Sequence, residues 1–118
     1  MRKENVVYDK AKKFAIRVIR LKQWLCIECK EYALADQILR SGTSIGANIS
    51  ESVDAVSKKD FRNKLSIALK ECSETKYWLE VIHETAIIDD VLFNSLYNDC
   101  SEIYAILSSI VKTLGTKN

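Results

Sequence analysis

The chain contains no proline, and its three glycines fall at 42, 46 and 115 of 118 residues. A sheet-rich chain needs turn punctuation about every ten residues, so this scarcity excludes most β and α/β folds and favours long helices. Charges interrupt every apolar stretch well short of the ~20 residues that span a bilayer. The opening MRKENVVYDK lacks the apolar core of an export signal, so a cytoplasmic protein without a membrane partner is expected. Glycine-rich phosphate loops, nucleophile elbows and HExxH motifs are absent. The one histidine, His83, has Glu80 and Glu84 near it but no second ligand or nucleophile, which is ordinary helix surface. No catalytic residue, metal or cofactor is expected.

The four cysteines, Cys26, Cys29, Cys72 and Cys100, lie in helical segments of a chain without an export signal. They read as small core or interface residues rather than disulfides. Cys26-x-x-Cys29 is half of a zinc motif, but Cys72 and Cys100 stand alone and do not supply the second close pair.

A hydrophobic share of 47% and a charged share of 29% describe a globular chain. The length suits a single domain, 1–118. The net charge of +2 is unevenly spread. Residues 1–22 hold eight cations against Glu4 and Asp9, a local charge of +6, which leaves −4 for the remainder.

Four helices follow from periodicity, at about 6–28, 34–55, 58–86 and 90–114. Val7, Ala11, Phe14, Val18, Leu21 and Leu25 alternate steps of four and three, a heptad seam with the cations mostly off it. Ser57 with Asp60 caps a third helix, whose seam is Phe61, Leu65, Ala68, Cys72, Thr75, Leu79 and Ile82. Asp89 or Asp90 caps a fourth, carrying Leu92, Leu96, Ile103, Ile106, Ile110 and Leu114 up to Gly115. Three seams need a fourth partner, so residues 34–55, including the glycine-bearing stretch SGTSIGANISES, must supply the second helix. The expected fold is an all-α, up-down-up-down antiparallel four-helix bundle.

On that second helix Ile38, Ile45, Ile49 and Val56 share one side, with Gly42, Gly46 and Val53 beside them. Each glycine costs about 1 kcal/mol in a helix interior, so the pair is expected to let a neighbouring backbone or a bulky residue such as Trp78 approach closely, the alternative being a frayed or kinked helix. Gln37, Arg40, Ser41, Ser44, Asn48 and Glu51 form a polar stripe, all within about 60° of Gln37 on either side. Lys64, Glu71 and Glu74 of the third helix could complete a polar network or interface with Gln37, Arg40, Ser44, Asn48 and Glu51. A register-fixing network is favoured over a ligand site. On the third helix Ile67, Trp78 and Val81 form a second apolar stripe, a candidate oligomer interface.

Gln37-Ile38, Arg40, Ser44-Ile45, Asn48-Ile49 and Glu51, followed by Lys58 to Phe61, Ala68 and Leu79, resemble the signature of the bacterial four helix bundle proteins, or 23S rRNA intervening-sequence proteins. DFRNKLSIALKECSETKYWL is similar to a branch with a KE..E..YWL pattern, and the resemblance spans nearly the whole chain. One departure is Ser52, where much of the family has glycine. The resemblance implies an up-down-up-down bundle assembling as a homopentamer around a channel. Relatives include the accessory variability determinant proteins of diversity-generating retroelements, which implies a reverse transcriptase and nucleic acid as candidate partners. It implies no agreed activity.

The cations Arg2, Lys3, Lys10, Lys12, Lys13, Arg17 and Arg20 are the candidate nucleic-acid contacts, since five copies would multiply the charge of the first helix. The alternatives are a solvated face or a protein-interaction scaffold with no nucleic acid. Tyr8, Phe14 and Trp24 are the only aromatics in the segment and offer little for base stacking.

Overall fold

The computed structural model describes residues 3–115, with side chains from Asn5 onward. Four helices run in chain order: α1 (Lys3–Ile27), α2 (Tyr32–Ser52), α3 (Lys58–Glu84) and α4 (Asp90–Gly115). There is no strand among the described residues. The connections 28–31, 53–57 and 85–89 are short enough to force each helix back along its predecessor. α1 and α3 both pack on α2 and α4, and so occupy opposite corners of the bundle. The result is a rod of 48 × 22 × 22 Å.

The seam of α1 is buried throughout, from Val7 to Leu25. That of α3 is buried from Leu65 to Ile82, with Phe61 half-buried at its start. On α4 the fully buried series is Leu96, Cys100, Ile103, Leu107 and Ile110. Leu107 thus replaces Ile106 in the seam, because steps of four, three, four and three keep one face turned inward. Cys72 and Cys100 meet in this core, where the Cys100 thiol donates to the Cys72 carbonyl at 3.5 Å. Hydrogen bonding with Cys100 and burial push the Cys72 thiol well above its ordinary range, so it stays protonated. Cys26 and Cys29 are only partly buried.

The helix ends have local causes. Ser57 Oγ accepts from the Asp60 amide at 3.0 Å, and Asp60 accepts from the Val56 amide at 3.2 Å, which satisfies two donors at the start of α3. Asp89, rather than Asp90, caps α4 by accepting from the Leu92 amide at 2.8 Å. α3 stops in a paired turn, with Ala86 N–H on the His83 carbonyl and Ile87 N–H on that of Ile82, both at 2.9 Å. Ala86 takes φ 62° there, the left-handed position that such a C-terminal motif requires.

α2 ends at Ser52, three residues before the expected boundary. Val53 and Val56 therefore leave the buried side assigned to them, and Val56 is 92% exposed. Ser52 itself is buried, its hydroxyl donating to the Ile49 carbonyl at 2.6 Å. The two glycines face α1 and not Trp78. A Cβ on Gly42 would lie 2.8 Å from both Val18 methyls, whereas one on Gly46 would meet Ala11 at an ordinary 3.6 Å. Only Gly42 is required by close approach.

Candidate nucleic-acid and partner interface

The helical turn divides the cations of α1 into two groups. Lys10 and Arg17 turn towards α4 and pair with Glu102 and Asp99, the latter at 2.7 Å. Lys12, Lys13 and Arg20 are exposed and have no carboxylate partner among the described residues. Arg2 and the Lys3 side chain lie outside the described residues. Lys10, Lys13, Arg17, Arg20 and Trp24 recur at steps of three and four, a cationic stripe along the α1 flank that ends in an aromatic. Sequence reasoning counted these charges but missed their common edge, although the spacing was there to read.

Between α2 and α3 the polar stripe resolves into two clamps. Arg40 reaches Glu71 at 3.3 Å and also pairs with Glu74, while Lys64 donates to Glu51 at 3.1 Å. Ser44 and Asn48 turn back on their own helix, bonding the carbonyls of Arg40 and Ser44. Gln37 is exposed and makes no side-chain bond among the described residues. The clamps lie at the surface, where each pair contributes about 0–1 kcal/mol. The buried polar contact is instead Ser41 with Thr75, their hydroxyls 3.0 Å apart and both residues fully inaccessible.

Hydrogen bonding to Arg40, and then to the Trp78 indole at 3.1 Å, holds the Glu74 carboxyl below its usual range against the opposing effect of burial. A folded-state pKa below the unfolded one gives stabilisation that is full above the ordinary carboxylate range and fades as pH falls to the depressed value. Thermal melts taken through that acidic window should show Glu74→Gln losing less stability than the parent chain. Equal acid sensitivity in both would show that the pair does not matter to folding.

On the outward side of α3, Ile67 is 41% exposed, with Trp78 and Val81 half-buried alongside. Trp78 meets Tyr77 edge-on at 5.0 Å. A second apolar patch that periodicity did not single out lies at the opposite corner. Ile16, Ile19 and Ile27 are exposed on α1, about 120–200° from its seam, and Ile27 is 71% accessible. An inventory of seam residues overlooks them because they lie on the far side of the same helix.

His83 binds Asp90 at 2.7 Å and stacks on Phe93 at 4.1 Å, fastening the α3–α4 turn. Among the described residues no group of three or more His, Cys, Asp or Glu could hold a metal ion. No described helix is long and apolar enough to cross a membrane.

These features define an antiparallel four-helix bundle with one cationic helix and two outward apolar patches. The profile of the 23S rRNA-intervening sequence protein family matches residues 3–109, and the chain belongs to that family. It is also similar to a crystal structure from Bacteroides thetaiotaomicron, a protein of unknown function from the S23 ribosomal protein family. The two share 51% identity over 94% of this chain and 99% of that one, with a TM-score of 0.92. No match was found among curated proteins.

Proposed function

We propose that the protein is a non-enzymatic, homo-oligomeric bundle that binds nucleic-acid backbone through the outward cations of α1. The observation that carries this reading is that Lys12, Lys13 and Arg20 are exposed on one helix without carboxylate partners among the described residues. Cations already neutralised within the fold, such as Lys10 and Arg17, have less to offer a phosphate. The two apolar patches support self-association. They lie at opposite corners, so one copy's α1 patch can meet the next copy's α3 patch, and such a head-to-tail contact forms a ring when the rotation between copies closes. A pentamer is the ring that the family resemblance implies, and it would repeat the free cations five times. A protein scaffold whose partner docks on the ring is the second reading, supported by the same exposed isoleucines.

Binding to a mixed-sequence RNA or DNA should be measurable at low salt and fall steeply as salt rises, because each neutralised phosphate releases counterions. Lys12→Glu with Lys13→Glu and Arg20→Glu should reduce affinity by at least tenfold, with the helical circular-dichroism spectrum unchanged. Wild-type affinity in the triple variant, or no binding at low salt, would leave the scaffold reading. Light scattering tests assembly separately, and a mass of a single 13.5 kDa chain would remove the ring.

A further inference from the structure

The cationic stripe of α1 ends at a cavity of about 290 Å³ between α1 and α4, lined by Arg17, Arg20, Leu21, Trp24, Leu92 and Leu96. We propose that this cavity seats an unpaired nucleotide of a single-stranded nucleic acid, its base against Trp24 and its phosphate at Arg20. The inference rests on the nucleic-acid reading above and specifies which form of nucleic acid is preferred.

Three observations converge on it. Trp24 is 39% exposed and makes no side-chain hydrogen bond among the described residues, so part of a large aromatic is open to solvent in a cavity that Leu21, Leu92 and Leu96 also line. Aromatic faces stack bases regardless of sequence. Arg20 has no carboxylate partner among the described residues, while Arg17 is held by Asp99 at 2.7 Å, so the cavity retains an uncompensated guanidinium. The volume lies at the small end of ligand sites, which suits one planar base.

The surroundings also give the seat a direction. A second cavity, of about 590 Å³, shares Trp24 and Leu92 but is lined by His83, Asp89 and Asp90. Asp90 is engaged by His83 and Asp89 by the Leu92 amide. Their carboxylates repel phosphate, so the backbone is directed to the Arg20 side and the base towards Trp24. From Lys10 to Trp24 the stripe is about 20 Å long. Lys13 and Arg20, the cations of the stripe without carboxylate partners among the described residues, lie about 10 Å apart along the helix and lead to one open aromatic, which fits a ligand with charge repeated along its backbone and flat groups between. An acidic peptide has neither in its main chain.

The test uses the full chain, a short uridine oligonucleotide and an RNA duplex of equal length. The single strand should quench tryptophan emission in Trp78→Phe but not in Trp24→Phe. Trp24→Ala should bind the single strand about tenfold more weakly and the duplex unchanged. Arg20→Glu should weaken both. Because Trp24 is half-exposed, its variants should keep the parent helicity and melting, and Trp24→Phe serves as the conservative control. If Trp24→Ala binds the single strand like wild type, or loses both ligands equally, the seat is overturned while backbone binding stands. A drop in oligomeric mass with unchanged RNA affinity would overturn it too, in favour of a subunit contact. If neither ligand binds the wild-type chain, both proposals fail together.

Discussion

Gly42→Ala is expected to destabilise the protein and Gly46→Ala to stabilise it, although the two glycines occupy consecutive turns of one helix. Both substitutions gain about 1 kcal/mol of helix propensity. At Gly46 the new methyl finds Ala11 at 3.6 Å, an ordinary contact, so the gain should appear nearly whole. At Gly42 it would lie 2.8 Å from both methyls of Val18. Val18 is 1% accessible and β-branched, a side chain with one strongly preferred rotamer in a helix and therefore slow to give way. Overpacking of this kind costs about 1–3 kcal/mol, so after the gain in propensity the net effect should be a loss of up to about 2 kcal/mol as α1 and α2 are forced apart. Thermal melts of the two single variants separate the outcomes, at roughly 4 °C per kcal/mol. Val18→Ala should make Gly42→Ala better tolerated than it is alone. If Gly42→Ala melts higher than the parent chain, the close approach of α1 is wrong.

Breaking the Ser41–Thr75 pair should cost more from the Thr75 side than from the Ser41 side, and the two losses should be less than additive. The two hydroxyls lie 3.0 Å apart in the α2–α3 interface, where neither residue is accessible. Thr75 Oγ1 is also 2.8 Å from the Glu71 carbonyl, whereas Ser41 has only the Ile38 carbonyl at 3.5 Å as a further partner. Thr75→Val keeps the shape but strands the Ser41 hydroxyl, and a buried group left without a good partner costs about 1–3 kcal/mol. Ser41→Ala leaves Thr75 with its carbonyl and should cost less. In the double variant no hydroxyl remains to be satisfied, so the loss should be smaller than the sum of the singles. Urea titrations of all four proteins supply that comparison, and strict additivity would mean that the contact carries no coupling.

These two sites also show how far the amino-acid order could be read. Seam residues such as Phe14, Leu65 and Ile82 were legible because burial along a helix follows a period that residue types declare directly. Ser57 and Asp60 were legible because a cap is a contact between residues three apart. Ser41 was assigned to the polar stripe by its angle, yet it is buried, because accessibility there depends on the opposing Thr75. Val56 was placed in the core by extending a period past the residue at which the helix stops. Among the candidate site residues, Arg40, Glu71 and Glu74 were grouped by charge and do meet, whereas Gln37, Ser44 and Asn48 share their stripe without joining α3.

By itself the amino-acid order determined four amphipathic helices, their buried faces and a basic first helix, since each depends on local spacing and on residue chemistry. Only the tertiary structure decided that Gly42 answers to Val18, that Lys10 and Arg17 are engaged by α4 while Lys12, Lys13 and Arg20 remain outward, and that Trp24 borders a cavity. Those are relations between helices, set by how the side chains of one fill the spaces left by another, and no period within a single helix encodes its neighbour's position.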